Sequence, residues 1–238
     1  MNHFAHFSHI KIDIWASDAY SFGVTRVNPI QFVESVQPHL QYKDLHGLVG
    51  HLKAHWSKDQ LMSLLFCDHA DARKVAALSL ALVGCKSCIA KLADQLKDPD
   101  PMVNQMAEHA LWSIWFRSGS CPANHEVCEG TKALNDRKME KAIQHFCRAI
   151  EIDPNFAEAY NQRAITSYLL EKYDQSIDDC RETVRLMPCH FGAWSGMGHC
   201  HAHLNQPADT IRCYQKALEI NPHLTSLHET LEQLKSMP

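Results

Sequence analysis

The sequence contains no run of eighteen or more apolar residues, so no helix in it is expected to cross a bilayer. It also lacks a surplus of positive charge. Its 23 Lys and Arg stand against 27 Asp and Glu, which excludes the broad basic field of a non-specific nucleic-acid binder. The opening MNHFAHFSHIKIDIW has no basic segment leading into an apolar one, so no secretory signal is expected. Nothing matches GxSxG, GxGxxG or GxxxxGK followed by Ser or Thr, and no HExxH occurs. With no assembled nucleophile, phosphate cradle or metal quartet, the chain is expected not to be an enzyme and to need neither cofactor nor metal.

What is present is apolar and cysteine-rich. Apolar residues make up 45% of 238, enough to bury a core. The ten cysteines fall mostly inside helical patterns rather than in loops, as expected of free thiols in a reducing, cytoplasmic setting. The acidic excess lies entirely after Gly119: residues 1–119 carry 11 basic and 11 acidic side chains, residues 120–238 carry 12 and 16.

The strongest signal is a period of 34. Pro154, Pro188 and Pro222 are spaced by it, and so are Ile143, Ile177 and Ile211. Phe146, Cys180 and Tyr214 form a bulkier column, while Ala142, Ser176 and Thr210, and Ala149, Thr183 and Ala217, are small ones. Upstream, Gly130, Ala164 and Gly198 align, as do Tyr160 and Trp194. Small residues let two antiparallel helices approach closely, larger ones fill the space between units, and proline closes the second helix because it cannot continue one. The pattern resembles the tetratricopeptide repeat. That resemblance implies an all-α fold, a right-handed α-α superhelix, with units at 123–156, 157–190 and 191–224 and a capping helix at 225–238. Glu126 and Ala133 replace aromatics in the first unit, leaving its first helix degenerate.

A period near 31 runs through the first half, pairing Leu61 with Leu92, Leu65 with Leu96, Ala76 with Ala107 and Leu80 with Leu111. Ser57-Lys58-Asp59-Gln60 is a capping box, and Asp100-Pro101 is an N-cap followed by proline at N1. Met102, Met106, Ala110 and Ile114 then recur at i+4. This resembles the short HEAT-type repeat of phycobilisome-lyase-like proteins, with units at about 57–84 and 87–117 and a looser pair from Pro29 to His55, broken at Pro38. The expected domains are thus an extended arm at 1–28, HEAT-like repeats at 29–118 and the tetratricopeptide region at 119–238. The short Ser118–Pro122 linker suggests that the two arrays stack into one superhelix.

Candidate chemistry is sparse. Cys85-Lys86-Ser87-Cys88 lacks a partner CxxC, and packing at a helix boundary explains it better than zinc. His199 and His203 are i,i+4, as metal-binding pairs are, yet no acid follows His199. The His125-Glu126 and His228-Glu229 dipeptides are too far apart for the iron sites of HEAT-like proteins, and Glu108-His109 is reversed. Trp112, Trp115 and Phe116 read as core rather than as a stacking platform.

The register places Asn124, Val127 and Thr131, then Glu158, Asn161, Ile165 and Tyr168, then Ser195, His199 and His203 on the inner groove. Such a wall would bind a protein or peptide. The two-carboxylate clamp of some tetratricopeptide proteins is absent, because Val127, Thr131, Gln162, Gly192 and Gly196 stand where its cations and amides belong. The expected function is a non-enzymatic scaffold holding a partner polypeptide in this groove. The alternative is a lyase- or chaperone-like accessory to a cofactor-bearing partner, or a metal protein built on the His/Cys set.

Overall fold

The computed structural model describes residues 27–236, so the arm expected at 1–28 lies, but for its last two residues, outside the described residues. Helices account for nearly all the regular structure, and no strand occurs among the described residues. In the first half, Asn28 caps α1 (Pro29–Gln41) by accepting from the Ile30 and Gln31 amides. The break expected at Pro38 does not occur. In the last turns of a helix a missing N–H orphans only one carbonyl, and the chain instead turns at Lys43, whose φ is 55°. After α2 (Leu45–His55), the Ser57–Gln60 capping box forms as expected: Ser57 Oγ accepts from the Gln60 amide at 3.1 Å, and Gln60 Oε1 from the Ser57 amide at 2.8 Å.

Two short–long helix pairs follow: α3 (Lys58–Leu64) with α4 (Ala70–Val83), and α5 (Ile89–Asp94) with α6 (Pro101–Phe116). A 3₁₀ turn, Lys86–Cys88, leads into α5. Asp100 caps α6 through the Met102 amide at 2.8 Å. Arg73 grips Asp98 with two nitrogens at 2.7 and 3.0 Å, pinning α4 to the turn before α6. The buried face of α6 is Val103, Ala107, Ala110, Leu111 and Ile114. Met102, read from sequence as part of that face, is exposed.

In the second half, α7 (Cys121–Asn135) and α8 (Met139–Ile152) form one pair, α9 (Ala157–Leu169) and α10 (Tyr173–Leu186) the next, and α11 (Phe191–His203) and α12 (Pro207–Ile220) the third. α13 (Thr225–Ser236) closes the stack. The 34-residue period is written into the backbone as well. Arg137, Glu171 and Asn205 all sit at positive φ, between 55° and 61°, at the turn inside each pair. At each turn the next amide reaches back to close the first helix: Lys138 to the Ala133 carbonyl, Lys172 to Ser167 and Gln206 to His201, at 2.8–2.9 Å. A second periodic bond links a ring donor to the proline carbonyl six residues before it. Tyr160 uses Pro154, Trp194 uses Pro188, and His228 uses Pro222. α13 therefore begins as a fourth first-helix would.

The pairs cross where small meets large. A Cβ on Gly130 would lie 2.5 Å from the Phe146 ring, and one on Gly198 2.4 Å from the Tyr214 ring. In the middle unit Ala164 shares its core with the smaller Cys180. The side chain lost at one position is gained at the other, so the three crossings keep similar packed volume.

The two halves meet side-on rather than end to end. α6 lies across the starts of later first helices: Glu108 accepts from Asn221 Nδ2 at 3.1 Å, Trp112 rests on Gly192, and Trp115 stacks on His190. The first half's core accordingly includes Phe191 and packs Met187, Cys189, Ile220 and Leu224 against it. The arrangement remains all-α and solenoid-like, but α6 does not extend the stack.

Phe146 is fully buried. Phe146→Ala should lower unfolding free energy by about 3–5 kcal/mol. Gly130→Ala, which drives a methyl into the same ring, should lose about 1–3 kcal/mol. Urea titrations of both variants check this, and losses within the ±0.5 kcal/mol typical of surface changes would show that the crossing is misplaced.

Candidate interaction groove

The first helices of the units, α7, α9 and α11, lie side by side, so equivalent positions form columns running across them. Toward the start of these helices the face is closed by the first half. Glu158 and His190 have no exposed side-chain area. His190 caps α11, its Nδ1 accepting from the Ala193 amide at 3.0 Å, so its Nε2–H is left to donate to Glu158 Oε2 at 3.0 Å. Glu158 Oε1 accepts from Gln162 Nε2 at 2.6 Å and Asn161 Nδ2 at 3.1 Å. Trp115 covers His190 with ring centroids 4.0 Å apart, and Trp112 meets it edge-on at 5.5 Å. A Cβ on Gly192 would sit 2.7 Å from Trp112.

This settles where the expected groove residues lie. Val127 is buried in the core of the first unit, and Glu158 and Asn161 are buried in the polar cluster, so none of the three offers surface to a ligand. They were read as groove wall because their repeat positions face inward; Val127 instead packs within its own unit, while the joint with α6 through His190 and Trp115 closes over Glu158, to which Asn161 is bonded. Asn124 serves the α6–α7 turn instead, bonding both the amide and the carbonyl of Gly119.

The far half of the face is open. Thr131, Ile165 and His199 form one column, and Asn135, Leu169 and His203 another. Ile165 is 38% exposed and Leu169 52%, one turn apart on α9. Tyr168 hydrogen-bonds His203 Nε2 at 2.9 Å, and Tyr173 stacks on the same imidazole at 4.8 Å. His199 lies between Ser195 Oγ at 3.2 Å and the Tyr214 hydroxyl at 2.7 Å. Burial pushes Tyr214 up to about 12, so its hydroxyl keeps its proton and can donate to His199 Nδ1. The expected residues that the structure brings together are thus Thr131, Ile165, Tyr168, Ser195, His199 and His203. Leu169 and Cys128, both exposed, join them and were missed. Their signal was available, since each falls in an inward-facing repeat column. No group of three or more His, Cys, Asp or Glu arranged to hold a metal ion occurs among the described residues. The described helices also include none long and apolar enough to cross a membrane.

Three stacked pairs with a common 34-residue turn define a helical-repeat array of tetratricopeptide type. The chain carries tetratricopeptide repeats: models of that family match residues 133–156 and 192–224. Among curated proteins, it is 28% identical over 152 residues to a TPR repeat-containing protein of Rhizobium etli, an alignment covering 63% of this chain and 74% of that protein. It is 30% identical over 112 residues to the small glutamine-rich tetratricopeptide repeat-containing protein 2 of Mycosarcoma maydis, covering 45% of this chain but only 32% of that one. Among solved structures, the first TPR domain of Spaghetti, bound to an HSP90 peptide, aligns with a TM-score of 0.47 and 22% identity over 48% of this chain and 90% of that one.

Acid should loosen this fold. Burial holds the pKa of His199 below the ordinary imidazole value, with His203 adding to the effect, and burial followed by His55 and His39 does the same for His51. The unfolded chain therefore takes up protons before the folded one does. Stability is full above the ordinary histidine pKa of about 6.5 and falls as pH drops through it toward the lower folded values. Thermal melts at pH 7.5 and 5.5 should show a lower midpoint at 5.5, with a narrower gap in His51→Gln/His199→Gln. Coincident midpoints would refute the sign.

Proposed function

We propose that the chain holds a partner polypeptide on the open half of its inner face, without catalysing a reaction on it. The observation that carries this is the pair Ile165 and Leu169. Two aliphatic side chains at i,i+4 stand exposed on an inward face whose other half is sealed, and burying such a pair on a ligand is worth about 1.5–3 kcal/mol per side chain. Thr131, Ser195, His199 and His203 border them with hydroxyls and imidazoles that can satisfy a peptide's backbone. Tyr168 and Tyr173, held against His203, make a rigid aromatic edge of the kind that anchors interfaces.

The tetratricopeptide repeats support this reading, and the curated relatives named above carry the same repeat in their names. The ligand differs from the acidic peptide ends gripped by a two-carboxylate clamp. The clamp positions hold Val127, Thr131, Gln162, Gly192 and Gly196, of which Val127 and Gln162 are buried and Gly192 lies under Trp112. The first half, which we read as HEAT-like helix pairs, acts here as a buttress that blocks one end of the face.

Full-length Ile165→Asp/Leu169→Asp should fold with an unchanged melt yet lose its co-purifying partner, read as a drop of tenfold or more, since about 1.4 kcal/mol is already tenfold in affinity. Ile152→Asp, an equally exposed aliphatic on α8, should keep it. Equal recovery with all three proteins would sink the assignment.

A further inference from the structure

Cys85 and Cys88 belong to neither the tetratricopeptide repeats nor the groove. Gly84 ends α4, and the Cys88 amide bonds back to the Cys85 carbonyl at 2.9 Å, closing one 3₁₀ turn between the two residues. Cys88 is fully buried, while Cys85 keeps part of its surface in solvent. Lys58, at the start of α3 and 27 residues away, brings Nζ to 3.5 Å from Cys85 Sγ. Ser87 Oγ lies 3.2 Å from the same sulfur. Arg117 is a second fixed cation at this corner. It donates to the Leu80 and Gly84 carbonyls at 3.1 Å each, and its charge interacts with both thiols.

The two thiols are thereby made unlike. Hydrogen bonds from Ser87, reinforced by Lys58, pull Cys85 below the ordinary thiol range, and burial pushes Cys88 above it. A packing role accounts for Cys88. It does not account for an accessible sulfur held between a hydroxyl and an ammonium, which is the environment that turns a thiol into a nucleophile.

We propose that Cys85 is a thiol-exchange site for low-molecular-weight disulfides, with Cys88 as its resolving thiol. Cys85 loses its proton to solvent, and its thiolate attacks one sulfur of the incoming disulfide. A mixed disulfide forms as the incoming S–S bond breaks and one half leaves as a thiolate. Cys88 then gives up its proton and attacks Cys85 Sγ. The Cys85–Cys88 bond forms, the mixed disulfide breaks, and the second half leaves as a thiolate that is protonated by solvent. The pair is oxidised by two electrons, and the incoming disulfide is reduced to two thiols.

The chain supplies its own controls, because Cys121 and Cys128 are more exposed than Cys85. With reduced full-length protein at pH 7, iodoacetamide should alkylate Cys85 at least about threefold faster than either, despite its lesser exposure. Glutathione disulfide should then link Cys85 to Cys88. Trypsin cleaves after Lys86, between the two, so the bond is read directly as a cross-link of two peptides. Cys88→Ser should stop at a glutathione adduct on Cys85, and Lys58→Met should slow Cys85 alkylation severalfold without shifting the melt. The proposal is overturned if Cys121 or Cys128 matches Cys85. It is equally overturned if Lys58→Met leaves the rate unchanged, or if glutathione spreads over the cysteines with no Cys85–Cys88 link.

Discussion

The stacking of Trp115 on His190 fixes where the two halves of the molecule meet, and it depends on Glu158 beneath. A carboxylate with no exposed surface is costly unless its oxygens are filled, and here three N–H donors fill them, from His190, Asn161 and Gln162. His190 in turn spends its other nitrogen capping α11. The cluster can be complete only when α6, α9 and the turn before α11 are all in position. A half-formed version would bury unpaired polar groups, so this joint admits one docking of the halves rather than a range of them. Glu108 with Asn221, and Trp112 on Gly192, extend the same contact toward the end of the stack.

Much of the fold was legible because the repeat rules act locally. Prolines at a fixed interval, small residues facing large ones, and the caps at Ser57 and Asp100 all describe interactions within a few residues or one helix pair. The features that were not legible have a common cause. The left-handed turns fall on Arg137, Glu171 and Asn205, where no glycine announces them, and the closing bonds of the preceding helix hold that geometry instead. Pro38 looked like a break, but so near a helix end it sacrifices a single bond. Met102 belongs to the same i+4 row as Ile114, yet the core lies one step around, on Val103 and Ala107.

The groove was half legible for a different reason. Repeat register tells which side chains point inward, and Ile165 and His199, among those it selects, are exposed. It cannot tell what the packing of other helices brings to lie beside them. Val127, Glu158 and Asn161 face inward and are nonetheless buried. Hints were present in the columns. Phe156, His190 and Leu224 align, so one member of an apolar column is an imidazole; Asn124, Glu158 and Gly192 align, so an acid and an empty side chain follow an amide. An imidazole and an acid in inward columns signal a polar joint, and a glycine at such a position signals that something bulky needs the room.

The cover that α6 places over the starts of α9 and α11 sets a length scale for the proposed groove. On the proposed reading, a bound segment runs across the uncovered parts of α7, α9 and α11 rather than along them. Packed helices stand about 8–10 Å apart, which makes the crossing roughly 20 Å wide. An extended chain advancing about 3.3 Å per residue covers that width with some six residues. On the proposed reading, the groove would take a segment of about six residues from a partner, with the aliphatic pair on α9 under the middle of it.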